Sequence, residues 1–296
     1  MEREILIKKV ALSNRETLGY RECGSGNNIL LLVHGNMTSS KHWDLFLENI
    51  PDNCKVYAID LRGFGISTYN KPIHSIKDFS EDINLFSEAL NLNKFSIMGW
   101  SMGSAVAMQF TIDHNNKIKN LISLSGASIK GFPIYKSNFI KNPIYDMFID
   151  SKLEIERYLS YFLDPFKNTN KLYLKALWDA VVYTQNKPSV KRYEEYLDDM
   201  LTQRNIIDVR KALSNFNISH KFNGVVNGNG NVDRITVPTL IIHGDKDKVI
   251  SLNTAFKNKE AIGNNARIEI LKNCGHSPLI DKLDELIRLC TEFISV

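Results

Sequence analysis

Short runs of hydrophobic residues recur along the chain and alternate with segments of helical periodicity. The run at residues 29–33 is continuous, and similar runs stand at residues 56–59, 95–98, 121–124 and 239–242. A continuous run of this length is typical of a strand buried on both faces of a parallel sheet. Residues 267–271 instead alternate between polar and apolar positions, which predicts a strand at the edge of the sheet.

Helical periodicity appears between these runs. Apolar residues repeat at spacings of three and four in residues 78–90, 105–110 and 279–290, as they do on one face of a helix. Strands that alternate with helices predict βαβ units, and hence an α/β fold with a mostly parallel, doubly wound sheet. The first 25 residues alternate weakly, which predicts an antiparallel pair of strands before that sheet.

One long stretch, residues 130–235, interrupts the alternation and shows no buried strand. Its pattern predicts helices near residues 142–148, 153–162, 171–184 and 190–213. We therefore predict a core made of residues 1–129 and 236–296, with residues 130–235 inserted as a helical cap over the strand ends. The stretch holds 16 of the 29 aromatic residues. These side chains can form the cap's own small core, line a cavity, or do both.

Composition and charge narrow the possible functions. Of the 296 residues, 43% are hydrophobic and 24% are charged, as in a folded globular protein. The 37 basic and 33 acidic residues give a net charge of +4, and the basic residues are scattered, so we expect no nucleic-acid partner. The sequence shows neither an apolar run of the roughly 20 residues that span a membrane nor the apolar region of a signal peptide. These features predict a cytoplasmic protein that is not integral to a membrane.

The cysteines give a further indication of the compartment. Cys23, Cys54, Cys274 and Cys290 lie far apart and show no pairing motif. We therefore expect four free thiols in a reducing compartment. The histidine and acidic residues likewise show no spacing typical of a metal site.

The strongest chemical signal is the sequence Gly99-Trp100-Ser101-Met102-Gly103. It follows the predicted strand 95–98 directly and precedes a predicted helix at residues 103–111. A serine on a sharp turn between strand and helix is the arrangement called a nucleophile elbow. The turn forces the serine into a strained backbone conformation, so its neighbours must be small, and Gly99 and Gly103 meet that need.

A serine hydroxyl needs a general base, held by a third group, to become a nucleophile at neutral pH. Two acids, Asp245 and Asp247, follow the predicted strand 239–242, and His276 follows the strand at residues 267–271. Each candidate thus stands just beyond the end of a strand, where parallel sheets gather functional groups. The order of serine, acid and histidine along the chain is the one expected for a nucleophile elbow.

Taken together, these motifs resemble those of the α/β-hydrolase fold superfamily over nearly the whole chain. Residues 34–37, His-Gly-Asn-Met, stand where the family keeps its oxyanion loop, and residues 60–67 match its D-x-R-G-x-G-x-S loop. Trp43 also stands where the family often has a tryptophan. One position departs from the pattern, because Ser104 replaces a glycine that the family often has after the elbow.

The resemblance implies roles for several residues. It favours Asp247 over Asp245 as the acid, because the family places it three residues after the glycine of His243-Gly244. It also implies an oxyanion hole formed by the backbone N–H groups of Asn36 and Met102. Like the family, the chain is expected to use neither a metal nor an organic cofactor. His34 is expected to be structural, bonded to neighbouring loops beneath the site.

These expectations lead to a serine hydrolase that cleaves an ester-type bond in a small or apolar substrate, a lipid or a lactone. A carbon–carbon-bond hydrolase and a perhydrolase use the same three residues and remain alternatives. A receptor or interaction protein that keeps the fold without catalysis is an alternative of another class. Dehalogenases and epoxide hydrolases of this fold resemble each other in using aspartate at the elbow, so Ser101 argues against both. The sequence makes no prediction of the oligomeric state.

Overall fold

The computed structural model describes residues 3–137 and 143–295, and within these ranges eight strands form one sheet. The strands are β1 Leu6–Ala11, β2 Thr17–Cys23, β3 Asn28–Val33, β4 Cys54–Ile59, β5 Phe95–Trp100, β6 Ile118–Leu124, β9 Thr239–Gly244 and β10 Ala266–Leu271. Their order in the sheet is β1-β2-β4-β3-β5-β6-β9-β10. β2 pairs antiparallel with β1 and β4, and every other pair is parallel. The predicted antiparallel start, parallel sheet and edge position of β10 are confirmed.

Helices cover both faces of this sheet. They are α1 Asp44–Asn49, α2 Ile76–Ala89, α3 Met102–Asp113, α8 Leu252–Ile262, α9 Pro278–Asp281 and α10 Leu283–Ile294. In β3, Leu31 and Val33 pack in the apolar cluster that includes α2, α3 and α8, whereas Leu30 and Leu32 pack with α1 and α10. Alternate residues of one strand thus enter different layers, as a doubly wound fold requires.

The loop at residues 60–67 supports the neighbouring loop after β3. The carboxylate of Asp60 accepts hydrogen bonds from the backbone N–H groups of Ser40 at 2.8 Å and Ile66 at 2.9 Å. Gly63 and Gly65 have φ angles of +84° and +48°, a conformation that favours glycine. The glycines of the predicted motif are therefore needed for the path of this loop.

The chain between β6 and β9 contains a second, antiparallel pair of strands and a group of helices. These elements are β7 Ile134–Ser137, β8 Pro143–Ile149, α4 Lys152–Lys167, α5 Lys171–Val181, α6 Val190–Met200 and α7 Ile206–Asn215. The helices predicted near residues 153–162 and 171–184 are present, with different bounds. The apolar side chains of Ile218, Val232 and Ile235, near the end of this segment, pack in the same cluster as α2 and α3.

Two predictions for this segment are wrong. Residues 143–148 were expected to be helical, but they lie in strand β8, while Asn142 lies outside the described residues. Proline is tolerated at the first position of a strand, and isoleucine, tyrosine and phenylalanine favour strands. In the folded chain the ring of Phe148 in β8 contacts the ring of Tyr135 in β7, with centroids 4.7 Å apart and the ring planes tilted by 38°. Periodicity does not reveal this contact between two strands.

The second wrong prediction is the continuous helix at residues 190–213, which is interrupted between α6 and α7. The backbone N–H of Arg204 donates to the carbonyl oxygen of Gly63 at 2.9 Å. Asn205 donates from its side chain to the carbonyl oxygen of Arg62 at 2.7 Å. Hydrogen bonds to the loop at residues 60–67 therefore replace helical ones at this point.

Candidate active site

Ser101 occupies the sharp turn between β5 and α3. Its backbone angles are φ +55° and ψ −118°, a strained conformation for a residue with a side chain. A Cβ atom on Gly99 would lie 2.1 Å from the carbonyl oxygen of Gly103, and one on Gly103 would lie 2.2 Å from that of Val33. Only glycine fits at these two positions, as expected, and the tight packing fixes Ser101 at the end of β5.

Ser104, the departure from the family pattern, is accommodated by its neighbours. Its hydroxyl lies 2.7 Å from the hydroxyl of Ser123 on β6, so the two buried groups form a hydrogen bond. A Cβ atom on Gly126 would lie 2.5 Å from the Ser104 oxygen. Gly126 therefore leaves the room that the serine side chain occupies.

The ring of His276 is bound to Asp247, as the sequence predicts for the pair. The distance between Nδ1 of His276 and Oδ2 of Asp247 is 2.8 Å. The second oxygen of Asp247 accepts hydrogen bonds from the backbone N–H groups of Val249 and Ile250 at 2.8 and 2.9 Å. Asp245 points elsewhere and accepts from the backbone N–H of Cys274 at 3.3 Å. The structure thus brings Asp247, and not Asp245, against the histidine.

The electrostatic setting keeps Asp247 ionised. Burial acts to raise the pKa of its carboxyl group, but hydrogen bonds from His243, His276 and the backbone N–H of Ile250 outweigh burial and hold that pKa well below its usual value. A carboxylate in this position accepts the Nδ1 proton of His276 and leaves Nε2 free to take a proton.

Two further histidines are held in structural positions. His34 lies with Nδ1 2.7 Å from the carbonyl oxygen of Gly35, and its Nε2 accepts a hydrogen bond from the backbone N–H of Leu61 at 3.0 Å. Burial lowers the pKa of His34, so its ring is neutral near pH 7. His243 bonds through Nε2 to the carbonyl oxygen of Ile250 at 2.9 Å. Both rings join loops around the site, which for His34 matches the structural role expected from the sequence.

The loop after β3 lies directly against Ser101. A Cβ atom on Gly35 would be 3.2 Å from the Cβ of Ser101, so the glycine allows the two loops to approach. Asn36 and Met102 line the same cavity as Ser101. Within residues 3–137 and 143–295, the backbone N–H groups of Asn36 and Met102 take part in no hydrogen bond. The predicted oxyanion donors are therefore both at the cavity and unused.

The cavity has a volume of about 250 Å³ and is mostly apolar. The core contributes Gly35, Asn36, Met37, Trp100, Ser101, Met102, Ala127, Val249, Ile250 and His276 to its wall. Residues 130–235 contribute Phe132, Leu177, Trp178, Val181, Val182, Arg210 and Leu213. Among the described residues the Ser101 hydroxyl forms no hydrogen bond, so Ser101 and His276 line the same cavity without a hydrogen bond between them. Hydrogen bonds between catalytic groups often form only when substrate is bound.

Comparison with known proteins identifies the family. The profile of the alpha/beta hydrolase fold matches residues 28–283, a range that runs from the start of β3 to the first residue of α10. The chain belongs to the alpha/beta hydrolase fold family. The predicted fold class and the prediction of a hydrolase of this fold are thereby confirmed.

Relatives of this alpha/beta hydrolase carry several activities. Monoacylglycerol lipase ABHD6 of Homo sapiens is 23% identical over 278 residues, which cover 90% of this chain and 75% of the relative. A 2-hydroxy-6-oxononadienedioate/2-hydroxy-6-oxononatrienedioate hydrolase of Dechloromonas aromatica is 24% identical over 94% of this chain and 90% of the relative. The solved structure of an esterase from Exiguobacterium antarcticum superposes with a TM-score of 0.75 at 18% identity, covering 98% of this chain and all of that one. The last similarity shows the fold alone.

Other possible sites in this hydrolase are few. In the described part of the chain, no group of three or more His, Cys, Asp or Glu side chains could hold a metal ion. The four cysteines are buried and unpaired, as expected. No helix in the described ranges is both long and apolar enough to cross a membrane.

Two residues that support the site were missed by the sequence reasoning. Gln203, between α6 and α7, donates to the side-chain oxygen of Asn36 at 2.8 Å and accepts from the backbone N–H of Met37 at 3.0 Å. Trp100 donates from its indole N–H to the carbonyl oxygen of His276 at 2.9 Å. Trp100 had a signal, since it stands inside the elbow motif, whereas nothing in the local pattern marks Gln203.

Proposed function

We propose that this hydrolase cleaves a carboxylic ester-type bond through an acyl-serine intermediate. The observation that carries the proposal is the 2.8 Å contact between Asp247 and Nδ1 of His276, with the same histidine lining the cavity at Ser101. Such an arrangement can supply an activated nucleophile, because the base is oriented by a carboxylate and lines the same cavity as the serine. The ester-cleaving relatives support the choice of bond.

Each step of the proposed reaction uses a group described above. Nε2 of His276 takes the proton of the Ser101 hydroxyl as its oxygen attacks the ester carbonyl. The negative carbonyl oxygen of the tetrahedral intermediate accepts hydrogen bonds from the N–H groups of Asn36 and Met102. His276 then protonates the leaving alcohol oxygen, which leaves an acyl group on Ser101. Water, deprotonated by His276, attacks the acyl carbonyl in the same way and releases the acid.

We also propose that residues 130–235 act as a cap that encloses the substrate. Seven of the residues that line the cavity belong to this segment, and six of these seven are apolar. A mostly apolar wall favours an apolar acyl or alcohol group. The volume of about 250 Å³ favours a small one.

Replacing the nucleophile tests the proposal. The variant Ser101→Ala should lower the turnover of p-nitrophenyl butyrate by at least about 1000-fold, and wild-type Ser101 should be labelled by a fluorophosphonate. Ser160→Ala, which removes an exposed hydroxyl on α4, is the matched control and should keep full activity. Undiminished turnover in Ser101→Ala would falsify the assignment. Wild-type protein that is neither labelled nor active would favour a receptor of this fold.

A further inference from the structure

Arg210 on α7 is a charged side chain in the mostly apolar wall of the Ser101 cavity. It is half-buried, and its guanidinium lies over the ring of Phe132, with 5.3 Å between the Cζ atom and the ring centroid. Apart from this contact, Arg210 has no hydrogen bond or ion pair with any described residue. The cation is thus placed in the substrate cavity by its own helix and by an aromatic ring, without a carboxylate from the protein.

The buried Arg62 and the half-buried Arg192 are paired with carboxylates. Arg62 bonds to Asp82 through two nitrogens at 2.7 and 2.6 Å, and Arg192 pairs with Asp44 and Glu48. The acid nearest to Arg210 in sequence, Asp208, is already bound to Tyr69 and Lys152. Arg210 therefore differs from these arginines in the absence of a counter-charge among the described residues.

An unpaired cation in such a wall is costly, because burial removes water from a charge without replacing it. The cost is visible in the pKa of Arg210, which burial lowers from its usual value. A ligand that brings its own negative charge would remove this cost on binding. A guanidinium presents paired N–H donors that match the two oxygens of a carboxylate.

We propose that Arg210 binds a carboxylate of the substrate, so that this hydrolase prefers esters that carry a free carboxylate away from the scissile bond. The inference rests on the proposed ester hydrolysis at Ser101 and names the substrate class of that site. Arg210 and Ser101 line one cavity of about 250 Å³, so the carboxylate and the ester belong to one small molecule. The described wall contains one arginine and no lysine, and a single cation of this kind suits a singly charged carboxylate better than a phosphate dianion.

Two substrates with the same acyl chain, one charged and one neutral, test this assignment. Mono-p-nitrophenyl glutarate carries a free carboxylate, and its methyl ester has the same acyl chain without the charge. We expect wild type to favour the charged ester in kcat/KM by about 10-fold or more, since a charge-assisted hydrogen bond is worth about one to two powers of ten. Arg210→Met should abolish the preference through KM for the charged ester alone, and Arg210→Lys should restore part of it.

Lys211→Met provides the matched control. It removes a positive charge from the next position of the same helix, outside the cavity wall, and should leave the preference unchanged. Equal loss of both activities in Arg210→Met, or a wild type without preference, would overturn the carboxylate assignment. Ester hydrolysis that still depends on Ser101 would leave the proposed function standing in that case.

A binding measurement separates the two proposals. Ser101→Ala titrated with glutarate in a calorimeter should bind it, and the double variant with Arg210→Met should bind at least about 10-fold more weakly. Arg210-dependent binding of glutarate would support the carboxylate assignment even if the wild-type protein hydrolyses no ester. The lack of ester hydrolysis would then count against the proposed function alone. The assignment would be contradicted if the protein binds methyl phosphate in place of glutarate, or if the Arg210→Met substitution leaves the affinity for glutarate unchanged.

Discussion

The two walls of the Ser101 cavity are held in different ways. On the core side, Ser101 is fixed by a positive φ and close glycine contacts, and His276 and Asn36 are held by hydrogen bonds. On the side of residues 130–235, side chains such as Leu177 and Val181 pack by apolar contact alone. The groups proposed to react are therefore positioned by backbone geometry and hydrogen bonds, whereas apolar side chains on helices shape the opposite wall of the pocket. Changes on the first side should affect every substrate, and changes on the second should affect the choice among substrates.

The largest effect is expected from the acid of the core side. Asp247→Asn should lower kcat by about 1000- to 10,000-fold for every ester tested, because an amide cannot hold the proton-accepting tautomer of His276. Asp245→Asn, at the neighbouring acid with its single bond to the Cys274 backbone, should change kcat only a few-fold. Steady-state kinetics of both variants on charged and neutral esters check this. A larger loss in Asp245→Asn would reverse the assignment of the acid.

The same carboxylate should make the core side sensitive to acid. Because the pKa of Asp247 is depressed in the folded protein, its contribution to stability is full above the unfolded pKa of about 3.9 and is lost as the pH falls toward the folded pKa. Asp247→Asn should therefore be less stable than wild type by about 1–3 kcal/mol at pH 7. Urea unfolding should show this gap narrowing below about pH 4. A gap that stays constant or widens there contradicts the depressed pKa.

On the helical side, enlarging one side chain should alter selectivity and leave the chemistry intact. Leu177→Phe narrows the cavity, so kcat/KM for p-nitrophenyl hexanoate should fall about 10-fold relative to the acetate. Leu172→Phe on the same helix, at a position 82% exposed, should leave the ratio unchanged. If the ratio of kcat/KM for hexanoate to that for acetate is the same in wild type and Leu177→Phe, this wall does not determine the preference for acyl-chain length.

Gln203 joins the two walls, and its loss should have an intermediate effect. Gln203→Met keeps the size of the side chain but removes its bonds to Asn36 and the Met37 N–H. We expect kcat to fall about 5- to 10-fold with little change in KM, since a displaced oxyanion donor stabilises the transition state less. Gln185→Met, at an exposed glutamine of the same segment, is the control. An unchanged kcat would mean that the loop holds its position without Gln203.

The smallest effect concerns the strain at Ser101. Glycine adopts the observed backbone angles without strain, so Ser101→Gly should be more stable than Ser101→Ala by about 1 kcal/mol, after the entropic cost of glycine. Both variants lack the serine hydroxyl, so the difference between their stabilities in thermal unfolding reports the backbone strain at residue 101. If the alanine variant is as stable as the glycine variant, the turn stores no measurable strain.

Much of the core could be predicted from the sequence because its signals are local. The parallel strands showed as continuous apolar runs, and the elbow motif placed Ser101 between β5 and α3. The ends of β9 and β10 gave Asp245, Asp247 and His276 as candidates, and the family resemblance favoured Asp247. The catalytic roles, the cap boundaries at residues 130 and 235, the cytoplasmic location and the lack of a nucleic-acid partner remain predictions.

The segment between β6 and β9 was predicted less well because its contacts are distant in sequence. Gln203 lies 167 positions from Asn36, and the break between α6 and α7 depends on bonds to the loop at residues 60–67. Strand β8 likewise depends on its pairing with β7. The periodicity of apolar residues indicates only which side chains share one face of a helix or strand. It cannot reveal which helix ends contact which loops.

The indole of Trp100 connects two parts of the candidate active site. Trp100 adjoins Ser101 in the chain and donates to the carbonyl oxygen of His276 at 2.9 Å, so one rigid side chain links the proposed proton donor, Ser101, to the proposed acceptor, His276. Any shift of β5 within the sheet carries both partners together. We therefore expect small movements of the sheet to leave the spacing of Ser101 and His276 unchanged, and we expect the movements that admit a substrate to occur in the helices opposite.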